Sequence, residues 1–313
     1  MAIIGNAKET PLLRLPFRLE QIGLITSLRR KAMVVAAYNR KAGFRNLRSP
    51  ADYIDTALNL SHTGAEAKKP ITKASLLWRL ERLAGEAAAI NRGSFLLRHP
   101  EAERFKPILH VGWGMNILAE TGLDYDKFSE VINTAADPRY RLLAVEPAGV
   151  MLVAAGQRLK SRLIGIRLPQ NCREKRRRDF AGKFTAEEEI RMISHGYGRG
   201  LYFQALTLRS ALKEAQTGPP SIHPGFAVRG VGFAFAIVNI SSLVNIWRTA
   251  ARWEAENPGR KEPRHFNDGI ISALSFLEWN FPGLLDSFEE GEFIQSARRQ
   301  VRIYEEAGGV FSL

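Results

Sequence analysis

Residues 195–203 read HGYGRGLYF, and segments of the same kind recur along the last two thirds of the chain. Each places glycine ahead of an apolar run. The other segments are HVGWGMNIL at 110–118, RGVGFAFA at 229–236, NDGIISAL at 267–274 and the weaker EPAGVMLV at 146–153. The first glycines of the five segments stand at positions 112, 149, 196, 230 and 269. A recurrence at roughly 20–50 residues predicts supersecondary units that stack on one another.

The segments between these glycines predict helices. Alanine, leucine, arginine and glutamate dominate them, and few stretches alternate with period two. We therefore predict an all-α fold of repeated helix–turn–helix units, arranged as a closed α/α toroid or a compact solenoid. Residues 1–106 read as an N-terminal arm and helices, and residues 107–313 as the glycine-signature repeat region; we expect the two parts to form one continuous domain. We expect each glycine at the start of a helix, where it permits a tight turn and a close approach of two backbones.

Several helix boundaries follow from local signals. Ser49 and Pro50 predict an N-cap and a first helical residue, and Thr185 predicts another N-cap. Apolar positions at helical spacing predict an amphipathic helix over 72–90, a buried core helix over 230–247 and a final helix over 286–304. A polar hinge is expected over 168–184, with its run of basic residues at 173–178 as a solvated loop.

Composition limits the class of protein. The chain has 313 residues, a net charge of +13 and one cysteine, Cys172. A single cysteine excludes an internal disulfide and fits a reducing compartment, so we expect a cytoplasmic protein. No secretory signal or membrane-spanning segment is evident. The charge favours acidic partners, and a basic face would suit peripheral contact with an anionic membrane. The basic residues are spread widely and no nucleic-acid-binding module is recognisable, so nucleic acid ranks last among the partners.

The order and wording of three glycine segments, at 110–114, 196–203 and 230–234, resemble a bacterial domain of unknown function, the family numbered seventeen-oh-two. Its members occur among natural-product genes, including enediyne polyketide clusters. The resemblance implies a role beside specialised-metabolite synthesis and supplies no reaction. The chain reads as a divergent member, because Val145 to Gly149 stand where a second Gly-x-Gly followed by histidine is expected. If that segment carries the family's activity, this member is altered or inactive.

Acids, histidines and aromatic residues beside the glycine segments are the candidates for chemistry. The catalytic candidates are Asp268, Glu146, His195 and His110, because a carboxylic acid in an apolar pocket has a raised pKa and histidine transfers protons near neutral pH. The candidate substrate-binding residues are Trp113, Tyr197, Tyr202, Phe203, Phe233 and Arg199. Aromatic faces suit an apolar polyene and stabilise a developing carbocation. Core packing is the competing explanation for the aromatic residues, and helix capping is the competing explanation for the histidines.

The sequence contains no metal-ligand constellation, nucleophile motif or dinucleotide fingerprint, so we expect neither a metal nor a cofactor. Three functions remain. The first is a metal-independent cyclase or isomerase that acts on an apolar polyene or isoprenoid. The second is a non-catalytic carrier or scaffold for a pathway enzyme or its product, and the third is a binder of nucleic acid or anionic membrane through the basic surface. The oligomeric state does not follow from the sequence.

Overall fold

The fold is built from α-helices. The computed structural model describes residues 31–32, 47, 49–91, 100–156 and 174–307, and these residues contain no β-strand. The helices are α1 (Pro50–Glu66), α2 (Pro70–Asn91), α3 (Lys106–Thr121), α4 (Tyr125–Ala135), α5 (Arg141–Val145), α6 (Pro147–Gly156), α7 (Glu174–Ala181), α8 (Glu187–Gln204), α9 (Leu208–Gln216), α10 (Pro224–Asn239), α11 (Leu243–Glu256), α12 (Glu262–Asn280) and α13 (Glu292–Glu306). Three short 3₁₀ helices lie at Pro100–Phe105, Pro138–Tyr140 and Leu285–Ser287. The all-α prediction is confirmed.

The principal helix contacts join helices that lie one to three places apart along the chain. Helix α2 packs on α3, α3 on α5 and α6, α6 on α8, α8 on α10, α10 on α12, and α12 on α13. Helix α2 also contacts α10, so the beginning of the described chain meets its second half. The apolar side chains of these helices form one continuous core. None of the described helices is both long and apolar enough to cross a membrane.

The first glycines of four segments lie inside helices, which corrects the prediction that they open them; Gly149, in the first turn of α6, fits that prediction. Gly112, Gly196, Gly230 and Gly269 all have helical neighbours on both sides. Among the described glycines, only 122, 259 and 283 have a positive φ. The close approach of two backbones, by contrast, is confirmed. A β-carbon on a signature glycine would collide with the carbonyl oxygen of a residue on a neighbouring helix: Glu81 for Gly112, Ala144 for Gly114, Ile193 for Gly149, Glu146 for Gly196, Ala227 for Gly198, His195 for Gly230, Phe266 for Gly232 and Arg229 for Gly269.

Local signals located some helix ends well. Ser49 caps α1 in a capping box with Asp52, as predicted, with Ser49 Oγ accepting from the Asp52 amide at 3.2 Å. Helix α8 starts after Ala186, whose side chain makes no capping bond, so the prediction of Thr185 as N-cap was wrong. The last helix, α13, begins at Glu292, after a 3₁₀ turn that occupies the start of the predicted span.

The predicted buried helix over 230–247 is two helices. Helix α10 ends at Asn239, whose side-chain amide donates to the Phe235 carbonyl at 2.9 Å. A turn follows, closed by the Ser242 amide on the Asn239 carbonyl at 2.8 Å, and α11 begins at Leu243. Asparagine and serine compete with helical hydrogen bonds in this way, and the apolar periodicity across them did not reveal the break.

The basic run forms a short helix instead of the expected loop. Helix α7 exposes Arg176 and Arg178 and buries Phe180 at its end. The Phe180 ring packs edge-on against Phe128, with centroids 6.1 Å apart, and against Phe184, with centroids 5.1 Å apart. The packing of Phe180 on these two rings stabilises a helix in a segment whose polar composition predicts a loop. Cys172, Arg173 and the N-terminal arm to residue 30 lie outside the described residues.

Candidate functional site

Four ionisable side chains meet beside a buried cavity. Glu81 comes from the middle of α2, Glu146 from the junction of α5 and α6, and His195 and Arg199 from successive turns of α8. Each of the four residues is at most 5% exposed. Charged groups are rarely buried this deeply unless they are paired, so their arrangement requires an explanation.

Glu146 is the centre of the cluster because both of its carboxylate oxygens are engaged. Arg199 Nη2 donates to Glu146 Oε2 at 2.8 Å, and His195 Nδ1 lies 3.2 Å from Glu146 Oε1. Arg199 Nη1 reaches Glu81 Oε2 at 3.4 Å, which is a longer contact. The Arg199 side chain thus links the two acids, and the stronger of its two bonds holds Glu146.

Burial shifts the pKa values of Glu81 and His195 in opposite directions. Burial raises the pKa of Glu81 to about 7; Arg199 partly opposes this shift and the Glu146 charge adds to it. Burial also lowers the pKa of His195, against the opposing pull of Glu146. At neutral pH the imidazole is therefore uncharged. It places the Nδ1 proton towards Glu146 and leaves a lone pair on Nε2.

His195 Nε2 is buried, and no hydrogen-bond partner for it exists among the described residues. The imidazole lines a cavity of about 30 Å³, together with Glu81, Glu146 and Arg199. The remaining walls are apolar: Leu77, Trp78, Ile108, Val111, Leu143, Phe233, Ile237 and Phe276. A carboxylate that holds one imidazole nitrogen and leaves the other without a partner is the arrangement expected of a general base. Glu81, with its raised pKa, is a matching proton donor in the same cavity.

Glycines hold the backbone of this cluster in place. Gly112 packs on the carbonyl of Glu81, Gly196 on the carbonyl of Glu146, and Gly230 on the carbonyl of His195. Each contact brings two helices closer than any side chain would allow. The recurring glycines therefore bring the four ionisable side chains from three separate helical segments to one point, and this is their connection to function.

The structure brings four of the ten predicted site residues together: Glu146, His195, Arg199 and Phe233 all line the cavity. The Phe233 ring meets the His195 ring edge-on, with centroids 5.1 Å apart. Phe203 lies behind the cavity wall, since its ring packs edge-on against Trp78 with centroids 5.4 Å apart.

Three other predicted aromatic residues lie away from the cavity lining. Trp113 is fully buried in the core. Tyr197 is half-buried, and burial raises the pKa of its hydroxyl. Tyr202 carries the buried Lys31 ammonium 4.1 Å from its ring centroid, and that ammonium also donates to the Tyr202 carbonyl at 2.7 Å. These contacts place Tyr202 in the packing around Lys31.

His110 lies within α3 with both ring nitrogens satisfied. Nδ1 donates to the Lys106 carbonyl at 2.7 Å, and Nε2 accepts from the Asp137 amide at 3.1 Å. Burial lowers the pKa of His110 to about 4. The ring joins α3 to the turn before α5, and this contact gives His110 a structural position.

Asp268 lies in a different place, on α12, facing a cleft that it shares with Arg229 and Arg299. It does not line the cavity of the cluster. Asp268 was a candidate because it stands beside an apolar segment in the sequence. The second acid at the cavity is Glu81 instead.

Glu81, Trp78 and several apolar wall residues were not among the predicted site residues. A signal for Glu81 was present in the sequence, because the residue stands one turn from Leu77 and Ala84 on the apolar face of the helix over 70–91. An acid on that face must find a partner in the core. That partner is Arg199, which stands 118 residues further along the chain, and no local sequence pattern indicates it.

Among the described residues, no group of three or more His, Cys, Asp or Glu side chains is arranged to hold a metal ion. Comparisons of the chain with protein-family models, with curated proteins and with solved structures find no match. Function must therefore be inferred from the geometry of the cluster.

Proposed function

We propose that the protein is a metal-independent isomerase or cyclase of specialised metabolism, which moves a proton within an apolar substrate at this cavity. The observation that carries the proposal is the buried Nε2 of His195, which has no hydrogen-bond partner in the described part of the chain and belongs to a ring held through Nδ1 by Glu146. His195 is the base that removes a proton, and Glu81 is the acid that delivers one. Arg199 holds the Glu146 carboxylate beside His195, where it stabilises the imidazolium formed during the reaction.

An apolar polyene or isoprenoid is the substrate class that we propose. Support comes from the cavity walls, where eight of the twelve lining residues are apolar or aromatic. Phe233 and Phe276 are aromatic residues of the lining, and aromatic rings stabilise a cationic intermediate. The resemblance of the glycine segments to a natural-product family supports a role in specialised metabolism and names no substrate. We further propose that the consecutive packing of the helices forms a compact α/α solenoid or toroid around this site.

The size of the cavity sets a condition on the proposal. A volume of about 30 Å³ accommodates water-sized groups and not a polyene chain. Substrate binding must therefore widen the cavity. We expect the cavity to widen at Trp78 and Phe203, because Phe203 is half-buried and the Trp78 ring separates it from the cavity.

The first test identifies a ligand. Native mass spectrometry on protein from its own producer cells, followed by solvent extraction, is expected to yield an apolar polyene or terpenoid. The extracted compound is then incubated with fresh protein in D₂O. An isomerase or cyclase incorporates deuterium at carbon, and His195→Gln and Glu81→Gln are each expected to lower that rate by about a hundredfold or more.

His62→Gln is the matched control, since His62 is exposed on α1, and it should retain the wild-type rate. Binding of the extracted compound without deuterium incorporation would indicate that the protein is a carrier and not an enzyme. Protein that copurifies with no apolar compound, but with a protein partner or nucleic acid, would contradict both and favour a scaffold or a basic-surface binder.

Contact with an anionic membrane is a second proposal, which would bring the protein to a lipophilic substrate. The exposed Arg176 and Arg178 of α7 support it. Cosedimentation with phosphatidylserine vesicles, weakened by Arg176→Gln together with Arg178→Gln, is the expected result. Equal sedimentation of the double variant would contradict a role for α7.

A further inference from the structure

A second cavity, with a volume of about 230 Å³, lies between α12 and α13 and shares no lining residue with the first. Arg229 reaches it from α10. The other residues used below are Asp268 and Ile271 of α12 and Arg299, Gln300 and Ile303 of α13. The cavity is smaller than the roughly 300–1,000 Å³ of sites for drug-sized ligands, so it suits a small molecule.

Arg229 is the most unusual group in this cleft. Its Nη2 donates to Ser272 Oγ at 2.8 Å, but its Nε is buried and has no hydrogen-bond partner among the described residues. Burial lowers the pKa of the Arg229 guanidinium, and Asp268 opposes that shift by its charge. The Arg229 side chain lines the cleft, and an oxyanion is the group that pairs best with a guanidinium.

The charges facing the cleft favour an anion. Two guanidiniums, Arg229 and Arg299, line it against one carboxylate, Asp268. His265 lies near Asp268, and burial lowers the pKa of its imidazole, so it adds no charge at neutral pH. Burial raises the pKa of Tyr304 beside Arg229, so the phenol is also neutral. The cleft therefore keeps an excess of one positive charge.

The walls also define the rest of the ligand. Ile271 lies inside the cleft, and Ile303, which is 54% exposed, lies at its margin. Gln300 is held by a 2.9 Å hydrogen bond between its Oε1 and Ser275 Oγ. The backbone under Arg229 is fixed, because Gly269 packs directly on the Arg229 carbonyl. The cleft is thus a built site with a fixed cation and an apolar side.

We propose that this cleft binds a small organic oxyanion, a carboxylate or phosphate with a short aliphatic part, between Arg229 and Arg299. The oxyanion accepts from the guanidiniums of Arg229 and Arg299, and the aliphatic part packs on Ile271 and Ile303. The site shares no lining residue with the cavity of the acid–base cluster, and the proposal does not rest on the function proposed for that cluster.

Isothermal titration of the full chain with isovalerate, and separately with inorganic phosphate, tests the proposal. Saturable binding of at least one probe is expected, and isovalerate alone would identify the ligand as a carboxylate with an aliphatic tail. Arg299→Gln should weaken binding about tenfold, because it removes a charged donor. Arg229→Lys should weaken it as much, because lysine lacks the planar pair of donors.

Arg302→Gln is the matched control, since Arg302 is exposed on the same helix and outside the cleft. It changes the net charge equally and should leave the affinity within about twofold. Because Arg299 is exposed, its variant is expected to fold whatever happens to Arg229→Lys. The proposal is overturned if neither probe saturates, or if Arg302→Gln weakens binding as much as Arg299→Gln does.

Discussion

The Arg199 guanidinium and the Glu146 carboxylate form a buried ion pair, with Nη2 2.8 Å from Oε2 and both side chains at most 6% exposed. The pair joins α8 to the junction of α5 and α6. Because Glu146 also holds His195, the same bond joins the helices and, in the proposed function, positions the base. Removing one partner strands a charge in the core, and this asymmetry makes the pair measurable.

Arg199→Met is expected to destabilise the fold by about 3–5 kcal/mol, because it leaves Glu146 without its cation. Urea unfolding measures the change. Arg252→Met is the matched control, since Arg252 pairs with Glu256 at the surface of α11 and should cost at most about 1 kcal/mol. Equal losses of unfolding free energy for the two substitutions would show that the buried pair stabilises the fold no more than the surface pair does.

Gly196→Ala should destabilise the protein by about 1–3 kcal/mol or more, because the added methyl group meets the Glu146 carbonyl and the two helix backbones must move apart. The same movement should alter the His195 environment, which the histidine NMR signals report. Gly182→Ala is the control, because Gly182 is exposed and a methyl group there makes only ordinary contacts. An unchanged stability for Gly196→Ala would mean that the helix crossing is looser than the structure has it.

The stability of the protein should depend on pH through Glu81. Its folded-state pKa, about 7, is above its ordinary value of 4.5. The stabilisation that comes from the protonated acid is therefore complete below about pH 4.5 and is lost as the pH rises towards 7, by up to about 3 kcal/mol in all.

The difference in unfolding free energy between wild type and Glu81→Gln isolates this effect, because His195 titrates in both proteins. Wild type should lose stability relative to the variant between pH 4.5 and 7. The pKa of His195 is lowered, so its own contribution runs in the opposite direction and is lost as the pH falls below its ordinary value of 6.5. A constant difference across this range would mean that Glu81 ionises normally in the fold.

The two buried histidines should both be neutral Nδ1–H tautomers at pH 6.5. His110 donates from Nδ1 to a carbonyl, and His195 from Nδ1 to Glu146. Long-range ¹H–¹⁵N spectra identify the tautomers, and His110 should begin to titrate only near pH 4. A titration of His110 near the ordinary value of 6.5 would contradict its burial and its two hydrogen bonds.

The sequence showed the helices and several of the polar residues at the site, but not how they meet. Glu146, His195 and Arg199 are detectable because each is a polar residue inside or beside an apolar glycine segment. Their convergence depends on contacts across 49 and 53 residues, and no local pattern encodes such distances. The glycines were placed at helix starts because a turn and a helix crossing demand the same residue. Only the structure shows that a neighbouring carbonyl occupies the space of the missing side chain.

The contacts of Gly112, Gly196 and Gly230 with the carbonyls of Glu81, Glu146 and His195 have a consequence for redesign. The spacing of the reactive groups is set by main chain against main chain, so the wall residues Leu77 and Ile237 can be exchanged for new substrate shapes without moving it. Insertions behave differently. One residue inserted into the helix ahead of such a glycine rotates the glycine by about 100° away from the carbonyl that it contacts. Libraries that vary side chains at fixed length should therefore retain folded members, whereas libraries that vary helix length should lose them.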